Sequence, residues 1–210
     1  MSHLRPALVL TALLLALCCV VYPAIVTAGA QVLFKDAANG SLVVRSGIVR
    51  GSALIGQSIT DWDAHPQYVW GRPSAASNDA ATGITYSSGS NYGPSNPALV
   101  DEVRARVALL RASGVDGPIP IDLVTKSASG LDPDLSPEAV ELQLPRIARA
   151  RHASEDTVRA IVRAHTEGSF LGLLGEPRVH VLQVNLELDE RLPYAAPKET
   201  RAATSATMGR

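Results

Sequence analysis

Six residues with chemical potential fall within "SASGLDPDLSPEAVELQ", residues 127–143: Ser127, Ser129, Gly130, Asp132, Asp134 and Gln143. A Ser/Gly/Asp/Pro loop of this kind can turn backbone N–H groups and hydroxyls toward an anion, because small residues let the main chain approach a phosphate closely. The stretch ends at Gln143, inside what should be a helix. The plainer reading is that the loop makes a turn and a helix start, and that Gln143 satisfies a backbone group beneath it. Asp132 and Asp134 carry the oxygen ligands of a hard cation, or begin a turn through the Asp132-Pro133 step. Ser127 or Ser129 as a nucleophile needs a positioned base, and none is apparent.

No Walker phosphate loop, GxSxG elbow, CxxC or HExxH occurs in the chain. The five histidines, His3, His65, His152, His165 and His180, have no ligand spacing. Neither a catalytic centre nor a metal site is expected. A net charge of −1 and an isoelectric point near 6.5 leave no electrostatic footprint for nucleic acid.

The elements that must hold these residues begin with an apolar run. From Pro6 to Phe34 there is no charged side chain, and a span of the hydrocarbon core needs only about 20 apolar residues. A cleaved signal peptide competes through Ala28-Gly29-Ala30, but the run exceeds the roughly 7–15 residues of a signal's apolar region. A buried core helix is disfavoured because the other helices read as amphipathic. Cys18 and Cys19, the two cysteines of the chain, lie inside the run, so the remainder has no thiol. They read as small hydrophobes, and Leu17 stands where a lipoprotein signal wants a small residue. Arg5 precedes the span and Lys35-Asp36 follows it, so the positive-inside rule puts the N-terminus in the cytoplasm and the soluble part outside.

The expected organisation is a cytoplasmic N-terminus (1–6), a transmembrane helix (7–30), one mixed α/β (α+β) soluble domain (31–190) and a disordered tail (191–210). Short strands and turns are expected within 31–60. A long irregular region, 61–97, carries Trp62, His65, Tyr68, Trp70, Tyr86 and Tyr92, aromatics that either dock a partner or pin the loop. Ser95-Asn96-Pro97, a polar cap candidate followed by proline, should open a helix with Leu99, Val103, Val107 and Leu110 on one face. "IPIDLV" (119–124) reads as a short strand or an extended entry to the 127–143 stretch. Ser136-Pro137 should open a second helix with Val140, Leu144 and Ile147 inward, Gln143 half-buried at the edge and Pro145 bending it. Arg146, Arg149 and Arg151 would form a basic surface at its end. A third helix should start at Ser154 and bury Val158, Ile161 and Val162. "RVHVLQVNLEL" (178–188) reads as the strongest strand, with a change of phase between Val181 and Leu182.

Several stretches in order carry more than generic pattern: "LRPAL", "VRGSALIGQ" (49–57), "GRPSA" (71–75), "SGSNYGPSNP" (88–97), "LVTKSASGLDP" (123–133), "LQLPRIARAR" (142–151) and "LGEPRVHVLQVNLEL" (174–188). Together they resemble the C subunit of the bacterial Kdp potassium-transporting ATPase, over about residues 4–190. The resemblance implies a non-catalytic, single-pass subunit of the cytoplasmic membrane. Its implied partners are a channel-like potassium-translocating subunit, a P-type ATPase subunit and a small peptide subunit. It also implies a catalytic chaperone that raises the pump's affinity for ATP, with Gln143 matching the glutamine proposed to contact nucleotide and Ser127, Ser129 and Gly130 in the loop before it. The family usually has an aromatic residue and a histidine before "GRPSA"; here Tyr68 is followed by Val69 and Trp70. An extracytoplasmic domain would meet no cytoplasmic ATP, so direct contact conflicts with the charge-derived topology. Two functions stand apart, assembly of the pump and nucleotide binding on behalf of the ATPase subunit, with a membrane-tethered extracytoplasmic binding module or secreted domain unrelated to a pump as the generic alternative. Replacing Gln143 with alanine is expected to separate them.

Overall fold

The computed structural model describes residues 3–57, 59, 61, 64–79 and 81–194. Trp62 and the tail beyond residue 194 lie outside the described residues. By its contacts the chain divides into two compact units, Met1–Ser52 and Ala53–Arg210.

The first unit is led by one apolar helical run, Leu4–Leu33, with no buried side chain. At about 1.5 Å per residue it exceeds the roughly 30 Å hydrocarbon core. It is built from α1 (Leu4–Leu15), a π-helical stretch (Ala16–Val21) and α2 (Tyr22–Leu33). The π stretch has a local cause. Pro23 offers no N–H, and its ring would crowd the Cys19 carbonyl in a regular α-helix, so one wider turn just before it relieves the clash. After the short α3 (Lys35–Ala38), β1 (Leu42–Arg45) and β2 (Ile48–Ser52) form an antiparallel hairpin with a bulge between Val43 and Val44. Its turn is Ser46-Gly47, both with positive φ, as a primed hairpin turn requires. Strands and turns are therefore present here as expected.

The second unit holds the core. The described residues between 53 and 76 lie in no helix or strand, and a two-residue hairpin, β3 (Ser77–Asn78) and β4 (Thr85–Tyr86), follows. The helix α4 (Pro97–Ala112) starts where expected: the Asn96 side chain accepts from the Ala98 N–H, and Pro97 occupies the first turn. Leu110 is fully buried, with Leu99, Val103 and Val107 half-buried beside it. "IPIDLV" is not a strand but a 3-10 turn, Ile121–Leu123, begun by Pro120.

The Ser136 side chain caps α5 (Pro137–Glu141) through the Ala139 N–H. Pro145 does more than bend the helix. It cannot donate to the Glu141 carbonyl, so the segment divides and resumes as α6 (Leu144–Ala150). The helix α7 (Glu155–Ala164) is capped by Ser154 and buries Val158, Ile161 and Val162, as its spacing predicts.

A small antiparallel sheet has the order β5-β7-β6, from β5 (Asp134–Leu135), β6 (Thr166–Glu167) and β7 (Arg178–His180). The 178–188 stretch corrects the sequence reading. Only its first three residues are strand, and Val181–Arg191 is a helix, α8. The phase change at Val181–Leu182 marks a switch of period from 2 to 3.6, which puts Val181, Val184, Asn185 and Leu188 on one buried stripe. β-branched residues concealed the switch. Arg191, expected to begin the tail, ends this helix. Core apolar residues of α5, α6, α7, α8 and β7 join Val69 and Trp70 in one cluster.

Candidate functional site

Five consecutive residues, Pro66–Trp70, cross the core with no strand beside them among the described residues, and a buried backbone must find partners for its polar groups. Side chains supply them. The Pro66 and Tyr68 carbonyls accept from Arg146 Nη1 at 2.5 and 3.0 Å, and the Gln67 carbonyl accepts from Arg151 Nε at 2.8 Å. Asn185 donates to the Val69 carbonyl at 3.0 Å and accepts from the Val69 N–H at 2.8 Å. Gln143 does the same for Trp70, donating to its carbonyl at 3.1 Å and accepting from its N–H at 2.8 Å. Two amide side chains thus do the work of a neighbouring strand.

Gln143 is fully buried, not half-exposed at a helix edge. Its second amide proton goes to the Ala139 carbonyl at 3.2 Å, and its oxygen also accepts from Arg146 Nη2 at 2.7 Å. A primary amide has two protons and two lone pairs to offer, and here all four are taken. Its position follows from helical spacing, which sets residue 143 three from Val140 and four from Ile147 on the buried face beneath Trp70.

Arg146 and Arg151 are buried as well, against the expectation of a basic surface. The Arg146 guanidinium stacks 3.4 Å from the Trp70 ring centroid. Burial, with the charge of Arg149 adding to it, lowers its pKa to about 9. Arg151 pairs with Asp189 at 2.8 Å and lies over the Tyr68 ring, whose hydroxyl donates to the same Asp189. The aromatics Tyr68 and Trp70 therefore pin their loop. Tyr86 is exposed.

The 127–132 loop is also closed upon the protein. The Ser127 N–H donates to the Pro73 carbonyl, that of Gly130 to the Ser127 carbonyl, and that of Leu131 to Ser129 Oγ. Ser74 Oγ donates to the Gly130 carbonyl at 2.7 Å, and Ser87 Oγ to the Ser129 carbonyl at 2.8 Å. Gly130 has φ +69°, and a Cβ there would stand 2.7 Å from the Ser88 carbonyl oxygen. Arg72 of "GRPSA" pairs with Asp132 at 2.9 Å, while Asp132 Oδ1 accepts from the Asp134 N–H, a turn role. Burial raises the Asp134 carboxyl above its usual range, opposed by the charges of His180 and Arg178 and helped by Asp132 and Glu167.

Ser127 and Gly130 share a cavity of about 10 Å³ with Gly71, Arg72 and Asp132. That space suits one water, against the 300 Å³ or more of common ligand sites. Neither Ser129 nor Gln143 lines it. Loop and glutamine instead grip successive parts of one segment: Gln143 holds Trp70, and the loop holds Pro73 and Ser74. The sequence reading missed Arg146, Arg151 and Asn185. The available signal was a polar side chain set within an apolar helical stripe, as Gln143 and Arg146 stand among Val140, Leu144 and Ile147.

A family model described as "K+-transporting ATPase, c chain" (KdpC) matches residues 4–190. The chain is 53% identical over 191 residues to the "Potassium-transporting ATPase KdpC subunit" of Sorangium cellulosum (strain So ce56), covering 90% of this chain and 98% of the relative. The protein of the same description from Dechloromonas aromatica (strain RCB) is 53% identical over 188 residues, covering 89% and 96%. That from Paraburkholderia xenovorans (strain LB400) is 51% identical over 188 residues, covering 89% and 95%.

Proposed function

The chain belongs to the KdpC family, the c chain of K+-transporting ATPases, and we propose that it serves its pump as a non-catalytic subunit that assembles and stabilises the complex without touching ATP. Its partners in this reading are the channel-like potassium-translocating subunit, the P-type ATPase subunit and the small peptide subunit. The single span anchors it in the cytoplasmic membrane. Arg5 before the span and Lys35-Asp36 after it favour a cytoplasmic N-terminus and an extracytoplasmic soluble part.

The observation that carries the reading is the saturated amide of Gln143. Gln143, which by resemblance matches the glutamine proposed to contact nucleotide, has no free proton or lone pair and no exposed surface. To bind nucleotide it would have to release Trp70 and Arg146, leaving buried polar groups unpaired at about 1–3 kcal/mol each. Raised ATP affinity is then an allosteric effect: the subunit favours one pump state over another by contacting the two states differently.

A photoreactive ATP analogue applied to the solubilised, intact pump tests this. Label is expected on the ATPase subunit and absent from this chain. ATP-competable label on the 127–143 peptide would contradict the proposal.

A further inference from the structure

The loop between β6 and β7 carries a run of large apolar side chains out of the core. Phe170, Leu171, Leu173 and Leu174 are 68, 80, 86 and 64% exposed. Phe170 and Leu174 form an antiparallel bridge, and the Leu173 N–H donates to the Phe170 carbonyl. Leu171 and Gly172, at φ +53° and +71°, make the central pair of a tight turn. Such a turn favours Asn, Asp or Gly at its first central residue, and a bulky side chain at positive φ is strained. Here a leucine takes that place with its side chain in solvent. Neither folding nor solubility favours that choice, whereas a docking contact does.

The base of this loop forms one wall of an open groove of about 450 Å³. The charged groups lining it are Asp122, Asp132, Asp134 and Glu176, against Arg72 and Arg178. Both arginines are already paired: Arg72 with Asp132, and Arg178 with Glu167 and Asp134. Asp122 Oδ1 is buried with no hydrogen-bond partner, and Glu176 is exposed with no cation partner among the described residues. An apolar knob beside an acidic groove suits a partner with the opposite pattern. A bilayer suits it poorly, because interfacial insertion is helped by Lys, Arg, Trp or Tyr around the apolar residues and anionic lipid repels carboxylates.

We propose that Phe170–Leu174 is a docking knob that enters an apolar socket on another protein subunit of the pump, with a Lys or Arg at the socket's rim reaching the groove at the exposed Glu176. The inference rests on the assembly reading above. The strain at Leu171 is the cost of presenting that side chain, and burial on the partner recovers it.

The test uses the intact pump in membranes, carrying Leu173→p-benzoylphenylalanine in this chain, or the same substitution at the exposed Asp101 as a control. Irradiation should cross-link position 173, and not position 101, to one identified pump subunit. Adding Leu171→Asn should cut that yield by about tenfold, a typical loss for a central interface contact, while the melting temperature holds or rises because Asn suits the turn. Glu176→Lys should lower the yield too. If the chain co-purifies with the pump but position 173 captures nothing, the knob is refuted and assembly stands. Capture of a second copy of this chain, or of lipid, also refutes it. If the chain does not co-purify with the pump at all, the assembly reading fails and takes the knob with it.

Discussion

Replacing Gln143 by alanine removes four hydrogen bonds from one buried point, and the groups left behind decide the cost. The buried Trp70 N–H and carbonyl lose their bonds to Gln143, and the buried Arg146 cation and the Ala139 carbonyl lose one each. Each such orphan costs about 1–3 kcal/mol, and together with the vacated volume the loss should be about 3–5 kcal/mol. Gln143→Glu should also destabilise, because its second carboxylate oxygen would face the Trp70 and Ala139 carbonyls. The expectation that the alanine variant separates assembly from nucleotide binding is thereby revised. Lost activity follows from either account, but only the clamp account moves stability. Denaturant midpoints of the full-length chain in detergent, wild type against variant, measure it, and an unchanged midpoint would argue for a ligand role. None of this was legible at residue 143 alone. The helical pattern put the glutamine near the apolar stripe, but Trp70, which takes two of its four bonds, lies 73 residues away in a segment with no periodicity of its own.

Among the elements, those with strong local signals were read correctly. Asn96, Ser136 and Ser154 cap helices as their side-chain chemistry predicts, and the α7 stripe is buried as spaced. The failures came where local preference and tertiary context disagree. Val179, Val181 and Val184 are good strand formers, yet the chain turns helical at Val181, which lets Asn185 face Val69. The Ser/Gly loop was recognised, but its packing could not be, since its neighbours are residues 73–76 and 87–89. The glycines report that packing. Gly130→Ala combines an unfavourable φ with a Cβ 2.7 Å from the Ser88 oxygen and 2.8 Å from the Ala76 nitrogen, and should cost about 2–4 kcal/mol. Gly93→Ala, in open space without positive φ, should change stability by less than about 1 kcal/mol. Thermal melts of the two variants side by side check the contrast. Equal melting temperatures would mean that the loop is not wedged as described.

At the scale of the whole molecule, an apolar run of 30 residues and a compact unit beginning at Ala53 answer to different physical requirements. The anchor was legible because membrane solvation demands a long uncharged run. The fold class was legible because caps and turns punctuate the rest. What the unit does depends on which side of the membrane it occupies, and that rests on Arg5, Lys35 and Asp36. The central claim is that this is an extracytoplasmic assembly subunit with no access to cytoplasmic ATP. The most direct test replaces Cys18 and Cys19 with serine, adds a single cysteine at Asn78 or at Asp101, and treats intact spheroplasts with a membrane-impermeant maleimide. The account predicts labelling of both positions without lysis. Labelling only after lysis would place the domain beside cytoplasmic ATP and contradict it.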